Sequence, residues 1–205
     1  MLLSSATDSG LRLVVPSVVV SVFGAGTGFA ITYFRRLKWA PISGSILLFL
    51  GCIALAMQRR DLPSFAYLLI LVPYSMGQGI IFPGSFMGLL ACSEQKEQAV
   101  MTSALILWRS LGLVIGVAYS ALVMQNSLLY YLKRYVTGPN AEEIIRIVRG
   151  SIDAVAKLKD PVVQAQVISS YDAAIRVTFL TCVGFAAVMT LLILPIKLPR
   201  LAAKK

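Results

Sequence analysis

The chain has 205 residues, of which 58% are hydrophobic and only 14% are charged, and its mean hydropathy is +0.80. This composition excludes an ordinary water-soluble domain, in which about 25% of the residues are charged. The net charge of +10 does not indicate nucleic-acid binding, because the basic residues lie between long apolar segments, where they act as topogenic signals and contact membrane lipids.

Five apolar segments are long enough to cross a bilayer, which takes about 20 residues of α-helix. They cover residues 13–34, 39–57, 65–91, 99–125 and 177–196. The sequence therefore predicts an all-α, polytopic membrane protein. The first basic cluster, Arg35 to Lys38, follows the first span, so the positive-inside rule places the amino terminus outside and the carboxyl tail in the cytoplasm.

Small residues in the first span predict close helix packing. Gly24 and Gly28 lie about one helical turn apart, a spacing that lets two helix backbones approach each other in lipid. The partner is either another helix of the same chain or a second copy of the chain, and the sequence leaves both open.

The polar segment between the last two spans, residues 133–176, is predicted to form an amphipathic helical loop outside the membrane. Asn140 and Glu143 have the spacing of a capping box, and apolar residues then recur at helical spacing: Ile144, Ile145, Val148, Ile152 and Val155. A second helix is predicted to start at Pro161. The loop is either a helical hairpin on the membrane surface or a lid over a ligand.

The third span contains residues that predict either a cavity wall or a kinked packing helix. Tyr74 and Gln78 are polar, and Pro73 and Pro83 each free a backbone carbonyl that needs another partner at membrane depth. Irregular backbone at that depth is tolerated only against protein or a water-filled cavity.

Arg109 is the strongest functional candidate. The predicted start of the fourth span places it about 15 Å along the helix, near mid-bilayer, where a charge usually faces a cavity or a partner. Gly112, Gly116 and Ser120 follow on one helix face, and we expect Arg109 to point inward along this stripe, which packs against other helices. The alternative is that Arg109 snorkels to the cytoplasmic surface beside Trp108.

The sequence contains no pattern typical of an enzyme or of a metal site. It has no histidine, its three cysteines are far apart, and none of its nine acidic residues lies inside a predicted span. No catalytic residue, cofactor or metal ligand is therefore expected, and the chain offers no intramembrane proton carrier of its own.

Several motifs along the chain resemble those of one transporter family. The most specific is the run Arg109 to Gly112 with Ile115 to Ala118, and further markers are Ser9 to Arg12, Gly77, Gly79, Pro83, Tyr171, Ala174, Arg176 and Phe179. Together they resemble the carboxy-terminal part of a major facilitator superfamily transporter, specifically the fungal fourteen-span branch of drug:proton antiporters and vacuolar basic amino acid transporters. Trp108 and Leu113 depart from this pattern, where the family has phenylalanine and glycine.

The resemblance implies a partial major facilitator fold, in which the transport path lies between two helical halves. It implies transport of a basic amino acid or a drug with protons, in the vacuolar or plasma membrane. It also implies a truncated or split fragment that needs an amino-terminal half or a second copy and is not competent alone. The alternative is a small membrane interaction protein that associates with another transporter.

We predict that the carboxyl tail faces the cytoplasm. A cysteine introduced at Lys204 should react with a membrane-impermeant thiol reagent only from the cytoplasmic side of sealed vesicles, because the basic residues of the short segments favour that side. Labelling from the opposite side would contradict this topology.

Overall fold

Five long helices account for most of the chain in the structure, a computed structural model. It describes residues 6–34, 36–58, 64–136, 144–146, 148, 161–196 and 198, and gives only the backbone at 6–9, 11–12, 64–68 and 161. The helices are α1 (Ala6–Phe34), α2 (Trp39–Ala56), α3 (Ser64–Cys92), α4 (Gln98–Tyr135) and α5 (Pro161–Ile193). Each is long and apolar enough to cross a membrane, so the all-α membrane fold predicted from the sequence is confirmed.

Helices α4 and α5 are longer than the bilayer requires. Their 38 and 33 residues correspond to about 57 and 50 Å, against about 30 Å of hydrocarbon. The predicted span 99–125 therefore covers only the first part of α4, and the predicted span 177–196 covers the second half of α5 and extends past its end at Ile193. The second helix of the predicted outer loop begins at Pro161 and continues without a break into the last span.

The outer ends of α4 and α5 are held together by an apolar cluster. Its buried members are Leu128, Leu132, Val136, Val148, Val167, Tyr171 and Ala174. The hydroxyl of Tyr171 donates a hydrogen bond to the backbone carbonyl of Val148 over 2.9 Å, which ties the outer loop to α5.

The described part of the outer loop is consistent with the predicted amphipathic helix. Residues 144–146 and 148 are helical, Val148 is fully buried, and Ile144 and Ile145 pack against the same cluster. The remaining predicted residues of this helix, Ile152 and Val155, and its capping box at Asn140 and Glu143, lie outside the described residues.

Helix α3 is the centre of the bundle, because it packs closely against both α2 and α1. A Cβ atom added at Gly77 would lie 2.5 Å from the backbone nitrogen of Leu48, and one at Gly51 would lie 2.6 Å from the Cα atom of Tyr74. Real side chains do not tolerate such distances. Glycines on both helices therefore let the α2 and α3 backbones touch, as small residues do in membranes.

The sequence predicts close helix packing at Gly24 and Gly28, and the contact between α1 and α3 uses only Gly24. Gly24 faces the carbonyl of Gly79, 3.5 Å from the position of an added Cβ, whereas an added Cβ at Gly28 would meet nothing within 4 Å. The buried face of α1 continues instead through Thr27 and Ile31. Gly28 lies one residue off this face, so it does not contribute to the contact within this chain.

Helix α4 does not pack against other helices in the way that the sequence predicts. Every residue from Ile106 to Tyr119 is exposed, and a Cβ added at Gly112 or Gly116 would meet no atom within 4 Å. The expectation that α4 packs through this stripe is wrong within the described chain. The reason is that α4 packs mainly on α5 and touches α3 over a much shorter stretch, while the outer cluster and the edge-to-face contact of Tyr119 with Phe185 hold its other parts.

We predict that the α2–α3 contact is more sensitive to added volume than the stripe on α4. Gly51→Ala and Gly77→Ala should each destabilise the purified chain by about 1–3 kcal/mol, the usual cost of overpacking. Gly116→Ala is the matched control, and it should leave stability unchanged or raise it slightly, because alanine favours helix. Thermal unfolding in detergent measures the difference, and equal midpoints for the three variants would contradict this account.

Candidate functional site: a cavity around Arg109

Arg109 faces α3 from the inner half of α4. It lies about 16 Å from the start of α4, and Phe82 lies about 15 Å before the end of α3, so the two residues are at the same depth on either side of the cytoplasmic turn. The guanidinium carbon of Arg109 is 4.0 Å from the centroid of the Phe82 ring. The guanidinium therefore lies against α3, although Arg109 is exposed, and its inward orientation near mid-bilayer stays a prediction.

A cavity of about 460 Å³ surrounds this contact, which is within the size range of small-molecule sites. All five helices contribute to it. Its lining residues are Val20, Ser21, Gly24, Leu48, Gln78, Gly79, Ile81, Phe82, Pro83, Ser85, Leu105, Arg109 and Met189.

Three uncharged polar side chains line the cavity. The Gln78 amide nitrogen donates to the hydroxyl of Tyr74 over 3.4 Å, and the hydroxyl of Ser85 donates to the carbonyl of Ile81 over 2.5 Å. Ser21 bonds in the same way to its own helix, at Ser17. Each hydroxyl proton is thus used locally, whereas the serine oxygens and the remaining groups of the Gln78 amide keep hydrogen-bonding capacity for a solute.

The electrostatics of the cavity are set by Arg109, the one charged side chain among its described lining residues. No carboxylate of the described residues pairs with it, and its guanidinium lies over the ring of Phe82. A cation over an aromatic face gains about 1–2 kcal/mol when partly desolvated, while a charge at the centre of a bilayer costs about 2.5–3.5 kcal/mol or more. Phe82 therefore offsets only part of the cost, and the guanidinium retains donors for an anionic group.

The structure brings together some of the predicted site residues and separates others. Gln78, Pro83 and Arg109 line one cavity, and Tyr74 joins it through its hydrogen bond to Gln78. The other candidates, Gly112, Gly116 and Ser120, lie on α4 beyond the cavity lining.

Sequence reasoning missed Phe82, the side chain that positions the guanidinium. Phe82 and Arg109 are far apart in sequence and belong to no common motif. A usable signal was their similar distance from the turn between α3 and α4, since residues equally far from a tight turn face each other across a helical hairpin. No feature of the local sequence indicates that Ser21 and Met189 line the cavity, because their positions there depend on how α1 and α5 cross α3.

A second cavity, of about 360 Å³, adjoins this site. It shares Ile81, Ser85, Leu105 and Met189 with the first cavity and extends to Lys38 and Cys92, at the ends of the helices that are predicted to be cytoplasmic. Its walls are mostly apolar.

Comparison with known proteins finds fungal membrane transporters. The chain is 35% identical over 134 residues to the vacuolar basic amino acid transporter 2 of Saccharomyces cerevisiae. The aligned residues are 65% of this chain and 28% of that protein. It is 29% identical over 178 residues to an uncharacterized transporter of Schizosaccharomyces pombe, covering 84% of this chain and 31% of the relative. It is 26% identical over 183 residues to the multidrug resistance protein fnx1 of Schizosaccharomyces pombe, covering 87% and 34%.

The chain therefore spans about a third or less of the length of these curated relatives. No protein-family model matches it. No solved structure matches it either.

We predict that the cavity admits water. In a chain whose three native cysteines are replaced by alanine, Ser85→Cys in proteoliposomes should react with a small cationic thiol reagent, because the thiol must ionise in water to react. Leu113→Cys is the control. The Leu113 side chain is 69% exposed on α4, where we expect it to face lipid, so a cysteine there should react about tenfold more slowly or not at all. Equal rates at the two positions would rule out an aqueous cavity.

Proposed function

Because the chain is homologous over part of its length to fungal transporters of the major facilitator superfamily, we propose that its five spans form the carboxy-terminal part of a proton-coupled transporter of basic amino acids. The cavity around Arg109 is then part of the transport path. The observation that carries this proposal is a permanently charged side chain in a cavity lined by all five helices, about 16 Å along α4, a position that we expect near mid-bilayer. A charge at that depth is costly, and such residues usually mark a substrate or ion path.

The proposed substrate follows from the chemistry of the cavity and from one relative. A guanidinium with free donors attracts a carboxylate, which every amino acid carries and many amphipathic drugs lack. The relative that is 35% identical is named a vacuolar basic amino acid transporter. In the proposed pose the substrate carboxylate lies toward Arg109 and the cationic side chain points away from it. The relative named a multidrug resistance protein supports drugs as the second substrate class.

The proposed transport requires helices beyond these five. The exposed face of α4 beside the cavity leaves Arg109 without a wall on that side, and no acidic residue that could carry a proton is among the described residues that line the cavity. In the major facilitator fold the path lies between two helical halves. We expect the missing wall and the proton carrier to come from such a half, on this polypeptide or another, or from a second copy, in the vacuolar or plasma membrane.

The decisive experiment supplies the second half. This chain is co-expressed with the amino-terminal helices of the basic amino acid relative, and lysine uptake driven by a pH gradient is measured in vesicles. Arg109→Ala should lower uptake about 10- to 100-fold, the value of a charged hydrogen bond. Arg109→Lys should be less damaging, since it keeps the charge but loses the planar fork. Arg134→Ala, at the exposed outer end of α4, is the control and should transport normally.

The chain reconstituted alone should give no uptake that depends on a pH gradient. Uptake by the purified chain alone would contradict the need for a second half and favour an oligomer. Uptake by the co-expressed pair that is unchanged in Arg109→Ala would remove Arg109 from the path. Copurification of an intact transporter with this chain, without any effect of Arg109 on uptake, would favour the rival proposal of a small membrane interaction protein.

A further inference from the structure

A separate cavity of about 580 Å³ lies at the turn between α1 and α2, on the predicted cytoplasmic side. Its walls combine two cations with apolar side chains, namely Arg36, Lys38, Trp39, Ile42, Ile46 and Leu198. It shares no lining residue with the cavity around Arg109.

The charge of this cavity is unbalanced. Arg36 and Lys38 are exposed, and neither forms an ion pair with a carboxylate of the described residues. Leu198, which closes one side, stands between Lys197 and Arg200 in the sequence. The cytoplasmic leaflet carries anionic lipids, and basic pockets between helices on that side attract their headgroups.

Below the cations, α2 presents a strip of exposed apolar side chains. Ile42, Ile46 and Leu50 follow each other at one-turn spacing over about 12 Å of helix, and the last two are 42% and 52% exposed. A charged upper end and an apolar lower end are the two features of a phospholipid, whereas a free phosphate ion would use only the first.

Trp39 adds a donor without a partner. Its indole Nε1 atom is buried and makes no hydrogen bond with the described residues. Tryptophan is enriched at the level of lipid headgroups and ester carbonyls. A lipid oxygen that reached this nitrogen would supply the missing acceptor.

We propose that this cavity binds one anionic phospholipid, with its phosphate held by Arg36 and Lys38 and one acyl chain lying along Ile42, Ile46 and Leu50. The bound lipid would bridge the α1–α2 turn to the carboxyl tail at Leu198. The proposal does not depend on the transport function, because lipid binding is measured by itself. It uses no lining residue of the cavity around Arg109, but Lys38, Ile42 and Leu198 also line the second cavity beside it.

Native mass spectrometry of the purified chain tests the proposal. Titration with phosphatidylserine should show one tightly retained lipid, and phosphatidylcholine with the same acyl chains should bind at least tenfold more weakly. The double variant Arg36→Gln with Lys38→Gln should lose about 30-fold in phosphatidylserine affinity, since each cation near an anionic surface contributes about fivefold. The matched control, Lys133→Gln with Arg134→Gln, removes the same charge at the exposed outer end of α4 and should bind as the unmodified chain does.

A second variant tests the acyl track without touching the charge. Ile46→Ser should weaken phosphatidylserine binding several-fold while leaving the binding of inorganic phosphate unchanged. An equal loss in both double variants would reduce the effect to net charge and overturn the site. Complete displacement of the lipid by millimolar inorganic phosphate, or equal binding of the two lipids, would overturn it as well.

Discussion

The close backbone contact of α3 with its two neighbours is the constraint on which the rest of the bundle depends. Gly77 and Gly84 face α2, and Gly79 faces α1, each at distances that no larger residue allows. These contacts use two faces of α3. The third face carries Gln78, Phe82 and Ser85 at helical spacing, and it lines the cavity because the glycines hold it there. In lipid, where apolar burial gives no advantage between helices, such packing is what holds helices together.

That packing of α3 determines the surroundings of the Arg109 guanidinium. On an isolated helix the guanidinium would face hydrocarbon or climb toward the headgroups. With Phe82 at a similar distance from the α3–α4 turn, the cation lies over an aromatic ring beside a mostly apolar cavity that is large enough for a small solute. The second cavity adjoins this one and extends toward Lys38. A charge and an open volume therefore occur together.

The two ends of the bundle are held by different contacts. At the outer end, the extended α4 and α5 are joined by a buried apolar cluster and by the hydrogen bond from Tyr171 to the outer loop. At the inner end, cavities remain between the helices, and Leu198 packs on the apolar cluster beneath the α1–α2 turn. The three relatives described above are between two and three times as long as the chain, and the additional helices that the proposed function requires would pack on the exposed face of α4.

The amino-acid sequence by itself determined the fold class and the number of spans, because both depend on local apolar length and on the fixed rise of a helix. It also indicated Gly24, Gln78 and Pro83, whose small or polar character is visible without a structure. Only the tertiary structure decided that Phe82 receives the guanidinium, that Gly28 is off the α1 contact, and that Gly112 and Gly116 face open space. The physical reason is that these outcomes depend on where helices cross and how they are rotated, which no periodicity within one helix specifies.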